Sequence, residues 1–596
     1  VLHKYEFLND YLDERERRIV EESGLSGLAS DPYPLVYKLG MDFTKVHAYG
    51  LTVMDEEGFP VIGTPSAVAA AVIYAINLIN SAKEELDIES FLYGNAFDDD
   101  LARNLLTDQG STCLTLSKAK AYAERILDLR AGSLSDACIR KAVRILYTSP
   151  FVKLQHAGDK VFIFSDSNML NEEKEISVMI KERLQRPSMI RANEAEMYAA
   201  IEASEAEMEK LLSQEQTQAC KMVLSNRLSV ITGGPGTGKT QTQLVLISAF
   251  RKLYPNCNIV CIAPTAQAAK RMSEVTGEKA RTLHSFMKLA PGEMYLPEFP
   301  SLAEGSLVIA DESSMIDTEM CLSLLRALSP DCHLLLSGDV AQLPSVGKGC
   351  VLKEIIESGE VPVSRLTKIF RQKDNSIAFN SAKIHAGNPN LEYDKRFVFI
   401  EAHGSEDIAE KVTELYKRES KKEGSLICLT PLRVNTETGV YKLNDHLRTV
   451  MKNDDAPFVE TSEGIRIYEG DKVVFLKNTK GLINGEIGTA EKCDSALTCS
   501  FGNTVVTLEK SEFDLVIPAY AQTVHKSQGQ EFDTGIIILD PAHKKMASKE
   551  IVYTAVTRIK SHLYIVGDPK TLEETITGGD MARTSALGSL LNVICA

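Results

Sequence analysis

Apolar positions follow two patterns along the chain. In the first 200 residues they recur at helical spacing, which predicts helices over 7–19, 66–86, 118–129 and 136–146 with polar linkers between them. A small hairpin is predicted over 151–164, followed by a charged helix over 171–184. Residues 195–210, rich in Ala and Glu, read as a linking helix. From residue 228 the pattern changes to short continuous apolar runs, each followed by a turn and a helix, at 228–232, 258–263, 306–310 and 333–338. A second sheet is predicted to begin near 364–366 and to continue through 397–400, 425–429, 515–519, 536–539 and 563–566. Apolar runs alternating with helices suit parallel sheets buried on both faces. Between 453 and 514, short strands at 470–476, 484–488 and 503–508 surround Asn-Gly and Gly turns, which predicts a small inserted β-barrel. The fold class is therefore α/β. A mostly helical N-terminal docking domain spans 1–200 and a first α/β domain 201–362. The second α/β domain spans 363–450 and 515–596, interrupted by the barrel over 451–514.

Composition narrows the picture a little. A chain of 596 residues holds several domains. Its net charge of −16 argues against a surface coated in basic patches, but not against a narrow basic channel on an acidic body. The twelve cysteines form no C-x-x-C pair, which argues against a zinc or iron–sulfur site and suits buried thiols in a reducing cytoplasm. The run 67–79 is too short to span a membrane and reads as a buried helix, so a cytoplasmic protein is expected. Glu172-Glu173-Lys174 contains an E-x-K, the weakest fragment of a nuclease signature, and reads better as a solvated helix face. There is no tryptophan, so any base stacking falls to Tyr, Phe or His.

Chemistry concentrates after the first apolar run. Gly233-Gly234-Pro235-Gly236-Thr237-Gly238-Lys239-Thr240 fits G-x-x-x-x-G-K-[ST], a loop whose glycines let backbone N–H groups wrap phosphates at a helix start. Lys239 would reach the β- and γ-phosphates of ATP, and the Thr240 hydroxyl would ligate Mg²⁺. Asp311 and Glu312 close a later strand; Asp311 would hold Mg²⁺ and Glu312 would deprotonate the attacking water. Gln216, just ahead of the loop, has the paired donor and acceptor that read an adenine edge. Gln342 is equally a γ-phosphate sensor or a solvated turn residue on these grounds. Thr265 and His284 lie in strand-to-helix turns suited to a nucleic-acid phosphate, although an ordinary turn remains an alternative. Pro291 to Gly305 is an insert long enough only for a short hairpin.

With these segments, Tyr520 to Asp533 and Val552 to Arg558 resemble the ordered motif set of superfamily 1 DNA helicases. Gly338-Asp339-Val340-Ala341-Gln342-Leu343-Pro344-Ser345-Val346-Gly347 and the inserted barrel narrow the resemblance to the RecD-like branch, over about Leu211 to Lys560. The N-terminal layout is more similar to the RecD subunit of exodeoxyribonuclease V than to longer-armed stand-alone relatives. The resemblance implies two RecA-like motor domains, an SH3-like barrel and ATP-driven 5′-to-3′ movement on single-stranded DNA. It also implies a heterotrimer with RecB-like and RecC-like subunits that engages duplex ends, with the nuclease centre in a partner. By the same resemblance Gln342 senses the γ-phosphate, Arg371 and Arg558 approach from the second motor domain, and Glu531 joins the ATP site. Thr265, His284, Thr523 and His525 fall in motifs that face DNA. A competing expectation is a regulatory subunit whose nucleotide site gates assembly. The full set of Glu312, Gln342, Arg371 and Arg558 argues against it, since a binding-only site needs no hydrolytic groups.

Overall fold

The computed structural model describes residues 12–23, 25, 27–28, 30–57, 62–81, 108, 110–187, 192–287, 306–369, 376–432, 436–451, 456–502, 504–544, 546–578 and 583–595. The insert expected at Pro291 to Gly305, and Arg371, lie outside the described residues.

Near the N-terminus the helix Pro65–Ser81 sits at the centre, with Ala67, Ala69, Ala70 and Ala71 fully enclosed. Its small side chains let Leu116–Ile126 and Asp136–Thr148 pack close against it. Three short antiparallel strands, β1 (Cys113–Thr115), β2 (Lys153–Ala157) and β3 (Lys160–Phe164), complete this part in the order β1-β3-β2.

The first α/β domain, which the resemblance implies to be a motor domain and which keeps that label below, has a sheet of β4 (Leu228–Gly233), β5 (Ile259–Ala263), β6 (Arg281–Thr282), β7 (Leu307–Ala310), β8 (His333–Gly338) and β9 (Val363–Leu366). All neighbours are parallel, in the order β6-β5-β7-β8-β4-β9. Alternation along β4 sends Val230 to one apolar cluster and Ile231 to the cluster on the opposite face.

Several boundaries differ from the sequence expectation. The strand at 364–366 does not open the second sheet; β9 is the edge of the first, pairing with β4 from Val230↔Val363 to Gly233↔Leu366. The supposed linker Glu194–Met208 lies against the Lys239–Leu253 helix and encloses Ile201 completely. The helix Ser167–Gln185 is not a solvated arm either. It contributes Ile176 and Ile180 to the first motor core, and Glu173 is fully buried, which corrects the solvated-face reading of Glu172-Glu173-Lys174. The C-terminal helix Leu587–Cys595 crosses back and packs Leu587 and Leu591 into that same core, not into the second motor domain. Charge patterning could not reveal this for Ser167–Gln185 and Glu194–Met208, because these two helices bury one stripe while keeping charged residues on the rest.

The second motor sheet is formed by β10 (Phe397–Glu401), β11 (Leu426–Thr430), β19 (Ala521–Thr523), β20 (Phe532–Leu539) and β21 (Ile559–Gly567), in the parallel order β10-β21-β20-β11-β19. Between β11 and β19 lie the antiparallel pair β12 (Phe458–Glu460) and β13 (Arg466–Tyr468) and a five-stranded antiparallel sheet. That sheet contains β14 (Lys472–Phe475), β15 (Ile487–Cys493), β16 (Leu497–Phe501), β17 (Thr504–Leu508) and β18 (Val516–Pro518), with its own core around Phe475, Phe501 and Val516. The run at 515–519 thus belongs to the insert, pairing β18 with β14, and not to the motor sheet. A short apolar run carries no information about its partner strand.

Among the described residues, no helix is long and apolar enough to cross a membrane, and no group of three or more His, Cys, Asp and Glu could hold a metal ion.

Candidate active site

The glycine-rich loop leaves the end of β4 and enters the Lys239–Leu253 helix. Gly236 and Gly238 take positive φ of 78° and 82°, where other residues are strained. Gly233 is required by proximity, since a Cβ there would lie 2.7 Å from the Leu366 carbonyl oxygen on β9. Thr237 braces the turn by donating its hydroxyl to the Gly234 carbonyl at 2.8 Å. The Lys239 ammonium donates to the Gly233 carbonyl and, at 3.4 Å, to that of Gly234. The loop therefore folds around its own lysine, with Pro235 and Thr240 part-exposed at the mouth.

Gln216 takes a different position from the one expected. Its Oε1 accepts from the Ser213 N–H at 2.8 Å in a capping box, and its Nε2 donates to the Thr237 carbonyl at 3.2 Å. With both ends of the amide engaged and only 1% of the residue exposed, it braces the phosphate loop from behind and has no free edge for adenine.

Asp311 follows β7, and Glu312 sits in the left-handed region at φ 51°. Gln243, one turn into the helix after Lys239, donates to Asp311 Oδ1 at 2.9 Å and to the Ser337 hydroxyl at 2.9 Å. The sequence reading missed Gln243. Its signal was a polar residue four positions after Lys239, on the same helix face. Burial pushes the Glu312 carboxyl above its ordinary range, helped by Asp311 and opposed by Arg558, Lys239 and Arg271. Thr240 and Asp311 offer hydroxyl and carboxylate oxygens, a hard donor set that fits Mg²⁺.

The second motor domain closes the other side. Arg558 is 4% exposed, and its guanidinium donates to the Thr554 carbonyl at 3.3 Å, the Gln530 carbonyl at 3.4 Å and the Thr557 hydroxyl at 3.4 Å. Tyr553 donates its hydroxyl to Asp339 Oδ2 at 2.9 Å and stands against Gly234. Burial and the Asp339 carboxylate push its phenol far above the ordinary value, so it remains a donor. Gln342 donates to the same Asp339 oxygen at 3.3 Å and is 8% exposed, so it is no solvated turn residue. Leu343 is plugged into the second domain: its N–H donates to Thr554 Oγ1 at 2.9 Å and its carbonyl accepts from Gln528 at 3.2 Å.

The remaining expected residues divide. Glu531 pairs with Arg271 across the cleft at 2.7 Å and with Lys560 at 3.2 Å. Thr265 accepts from the Ala268 N–H at 3.2 Å, capping the Ala266–Thr276 helix, and faces Gly529 of the second domain. His284 is exposed at the next strand-to-helix turn, and His525 is part-exposed in a short turn after β19. Thr523 is not on the surface. It is 1% exposed and accepts from the Lys526 N–H at 3.3 Å, so it shapes the turn and does not present a hydroxyl to a ligand.

Residues 211–405 match the family model described as an AAA domain, and residues 518–566 match that of a UvrD-like helicase C-terminal domain. An ATP-dependent RecD2 DNA helicase of Deinococcus radiodurans is 32% identical over 70% of this chain and 57% of its own length. RecD subunits of the RecBCD enzyme match at 26% over 61% of this chain in Mycobacterium tuberculosis, and at 27% over 63% in Haemophilus influenzae. The chain is thus similar to RecD2 and RecD helicases over 61–70% of its length. It spans 57% of the length of the Deinococcus relative and 70% and 72% of the two subunits. A solved structure of two coordinating Pif1 helicases at forked duplex DNA covers 60% of this chain and 92% of its own, at 21% identity and a TM-score of 0.40. The two parallel sheets make an α/β fold; the first family model covers the whole of the first sheet, and the second covers β19, β20 and most of β21.

Proposed function

We propose that this chain is an ATP-driven motor that moves 5′ to 3′ on single-stranded DNA and separates duplex ahead of it. The observation that carries the reading is the setting of Glu312. Its carboxylate lies in the field of Lys239 from its own domain and of Arg558 from the other. Hydrolysis needs a base for the attacking water and positive charge on the γ-phosphoryl group as it leaves. Glu312 takes the proton in this reading. Lys239 and Arg558 neutralise the oxygens, and Gln342 holds the water and γ-phosphate in line. Thr240 and Asp311 would hold Mg²⁺, which supplies further charge neutralisation between the phosphates. Arg558 is rooted in the second domain, so its service at the phosphates requires a closed cleft. Closure and reopening would shift the turns of Thr265 and His284 against the loop carrying His525, which moves two DNA contacts relative to each other.

The finer reading is a RecD subunit of exodeoxyribonuclease V, with the N-terminal domain docking on RecB-like and RecC-like partners and the antiparallel insert as an SH3-like barrel. A stand-alone motor is favoured by one specific observation, the 32% identity with the Deinococcus helicase against 26% and 27% for the subunits. ATP turnover by the purified chain, with and without single-stranded DNA, tests the motor. Strong stimulation that disappears in Lys239→Ala and Glu312→Gln is expected; turnover retained in Lys239→Ala sinks the assignment. Unwinding of duplexes with 5′ or 3′ tails then tests direction. Activity that appears only with co-expressed partners selects the subunit.

A further inference from the structure

Segments far apart in sequence meet around residues 345–349, directly after Gln342. Arg583 Nη1 donates to the Gly347 carbonyl at 2.8 Å, the Gly349 carbonyl at 3.2 Å and the Ser345 hydroxyl at 3.4 Å. The Gly349 N–H donates to the Gly110 carbonyl of the N-terminal domain at 2.7 Å, and the Thr318 N–H to the Lys348 carbonyl at 2.9 Å. The fit is tight on the far side of the guanidinium too, since a Cβ at Gly110 would lie 2.6 Å from its carbon.

The chain carrying Arg583 is itself pinned. Thr112 donates its N–H to the Thr584 carbonyl at 3.0 Å, and the Thr584 N–H donates to the Ser111 hydroxyl at 2.8 Å. Buried Glu173 accepts from the Ser585 hydroxyl at 2.7 Å and the Ala586 N–H at 3.0 Å. Glu354 accepts from the Gly588 N–H at 2.8 Å. Leu587 and Leu591 then enter the first motor core. These residues form a strap that leaves the second motor domain and fastens to the first.

A guanidinium drawn from water is tolerated only where its N–H groups find acceptors. Here all three bonded acceptors take the one nitrogen Nη1 and belong to one loop, while the buried Nε has no acceptor, so the tolerated charge depends on that loop keeping its conformation. Arg583, Gln342 and Tyr553 border the same cavity of about 260 Å³, which residues of both α/β domains line. Pro344 and Cys350, which flank the loop at its two ends, also line the cavity, so the ends of the loop have room to shift on that side, and Arg583 opposes the shift. We infer that Arg583 is a positioning residue for ATP hydrolysis, holding 345–349 so that Gln342 keeps its place in the cleft. The strap thereby connects the N-terminal domain to the γ-phosphate side of the site.

This inference rests on the motor reading, and two measurements keep them apart. The first is hydrogen exchange of the full chain, which needs no turnover. Arg583→Met is expected to speed exchange over 345–349 at least tenfold while the sheet amides of β4 and β8 stay protected. Unchanged protection of 345–349 overturns the inference, whatever the turnover. The second is DNA-stimulated turnover in a double-mutant cycle with Gln342→Ala. Arg583→Met should lower kcat about tenfold with KM for ATP within twofold, and should add no further loss to Gln342→Ala. Arg583→Lys, which keeps the charge and loses the fork, should recover part of the rate. Wild-type kcat in both Arg583 variants, or losses that multiply in the double variant, overturns the inference while leaving the motor intact. A wild-type chain without turnover fails the motor reading instead. If Arg583→Met does not fold, the outcome is decided on Arg583→Lys, for which intermediate exchange and kcat are expected and wild-type values overturn it.

Discussion

At the scale of single residues, Glu312 would, in the proposed mechanism, combine burial with a base's need to be ionised. Burial and Asp311 raise its pKa, while Arg558, Lys239 and Arg271 hold it down, and the net direction is upward. A raised pKa moves protonation to higher pH, so turnover should fall as pH drops while ordinary carboxylates are still ionised. A kcat–pH profile at saturating ATP is expected to show an acid limb above the usual glutamate range. A limb at or below that range would mean that burial does not govern the base. Gln243 acts one step away, orienting the Asp311 oxygen it donates to at 2.9 Å. Loss of such an orienting partner typically costs roughly 10–100-fold in metal affinity or activity. Gln243→Ala should therefore shift the Mg²⁺ titration of turnover to higher concentration, and an unchanged titration would remove Gln243 from the site.

At the scale of elements, the C-terminal helix and the Ser167–Gln185 helix stabilise the first motor domain from one side. Leu591 is fully enclosed between them and the sheet, so Leu591→Ala should cost about 2–5 kcal/mol in a denaturant melt. The same junction contains Glu173 and Glu354, each pushed up to about 7, chiefly by burial. A carboxyl raised in the folded state holds its proton where the unfolded chain releases it. Its contribution is full below the ordinary glutamate pKa and is lost as pH rises through about 7. Melting temperatures should accordingly carry a downward component between roughly pH 4.5 and 7. Glu354→Gln should flatten that slope; an identical slope would place the titration elsewhere.

At the scale of the whole molecule, the motor domains and the insert meet along one side of the cleft. Lys270 of the first domain pairs with Glu486 of the insert at 2.5 Å, and Arg271 pairs with Glu531 of the second domain at 2.7 Å. Ion pairs with a half-exposed cation stabilise by about 1 kcal/mol or less, so these two add little to what the Leu343 and Tyr553 contacts already contribute to holding the cleft. With a net charge of −16, the proposed motor would hold DNA only along a confined basic path. Affinity for single strands is expected to fall with log salt at a slope of about −0.7 per phosphate contact. A slope near zero in a filter or fluorescence titration would remove phosphate contacts from the account.

The sequence by itself determined the phosphate loop, the Asp311–Glu312 pair, most strands of the two parallel sheets and the likeness to RecD helicases, because these follow from local order. A glycine needed for φ near +80° and an apolar run buried on both faces are properties of a few adjacent residues. Tertiary structure alone decided which strand joined which sheet, so β9 went to the first motor and β18 to the insert. It also decided which polar groups were already engaged. Gln216 turned to the phosphate loop, Thr523 turned inward, and Glu173 became the anchor of a strap more than 400 residues away. A side chain's polarity is written in its type, but its partner depends on what the rest of the chain brings within 3 Å of it.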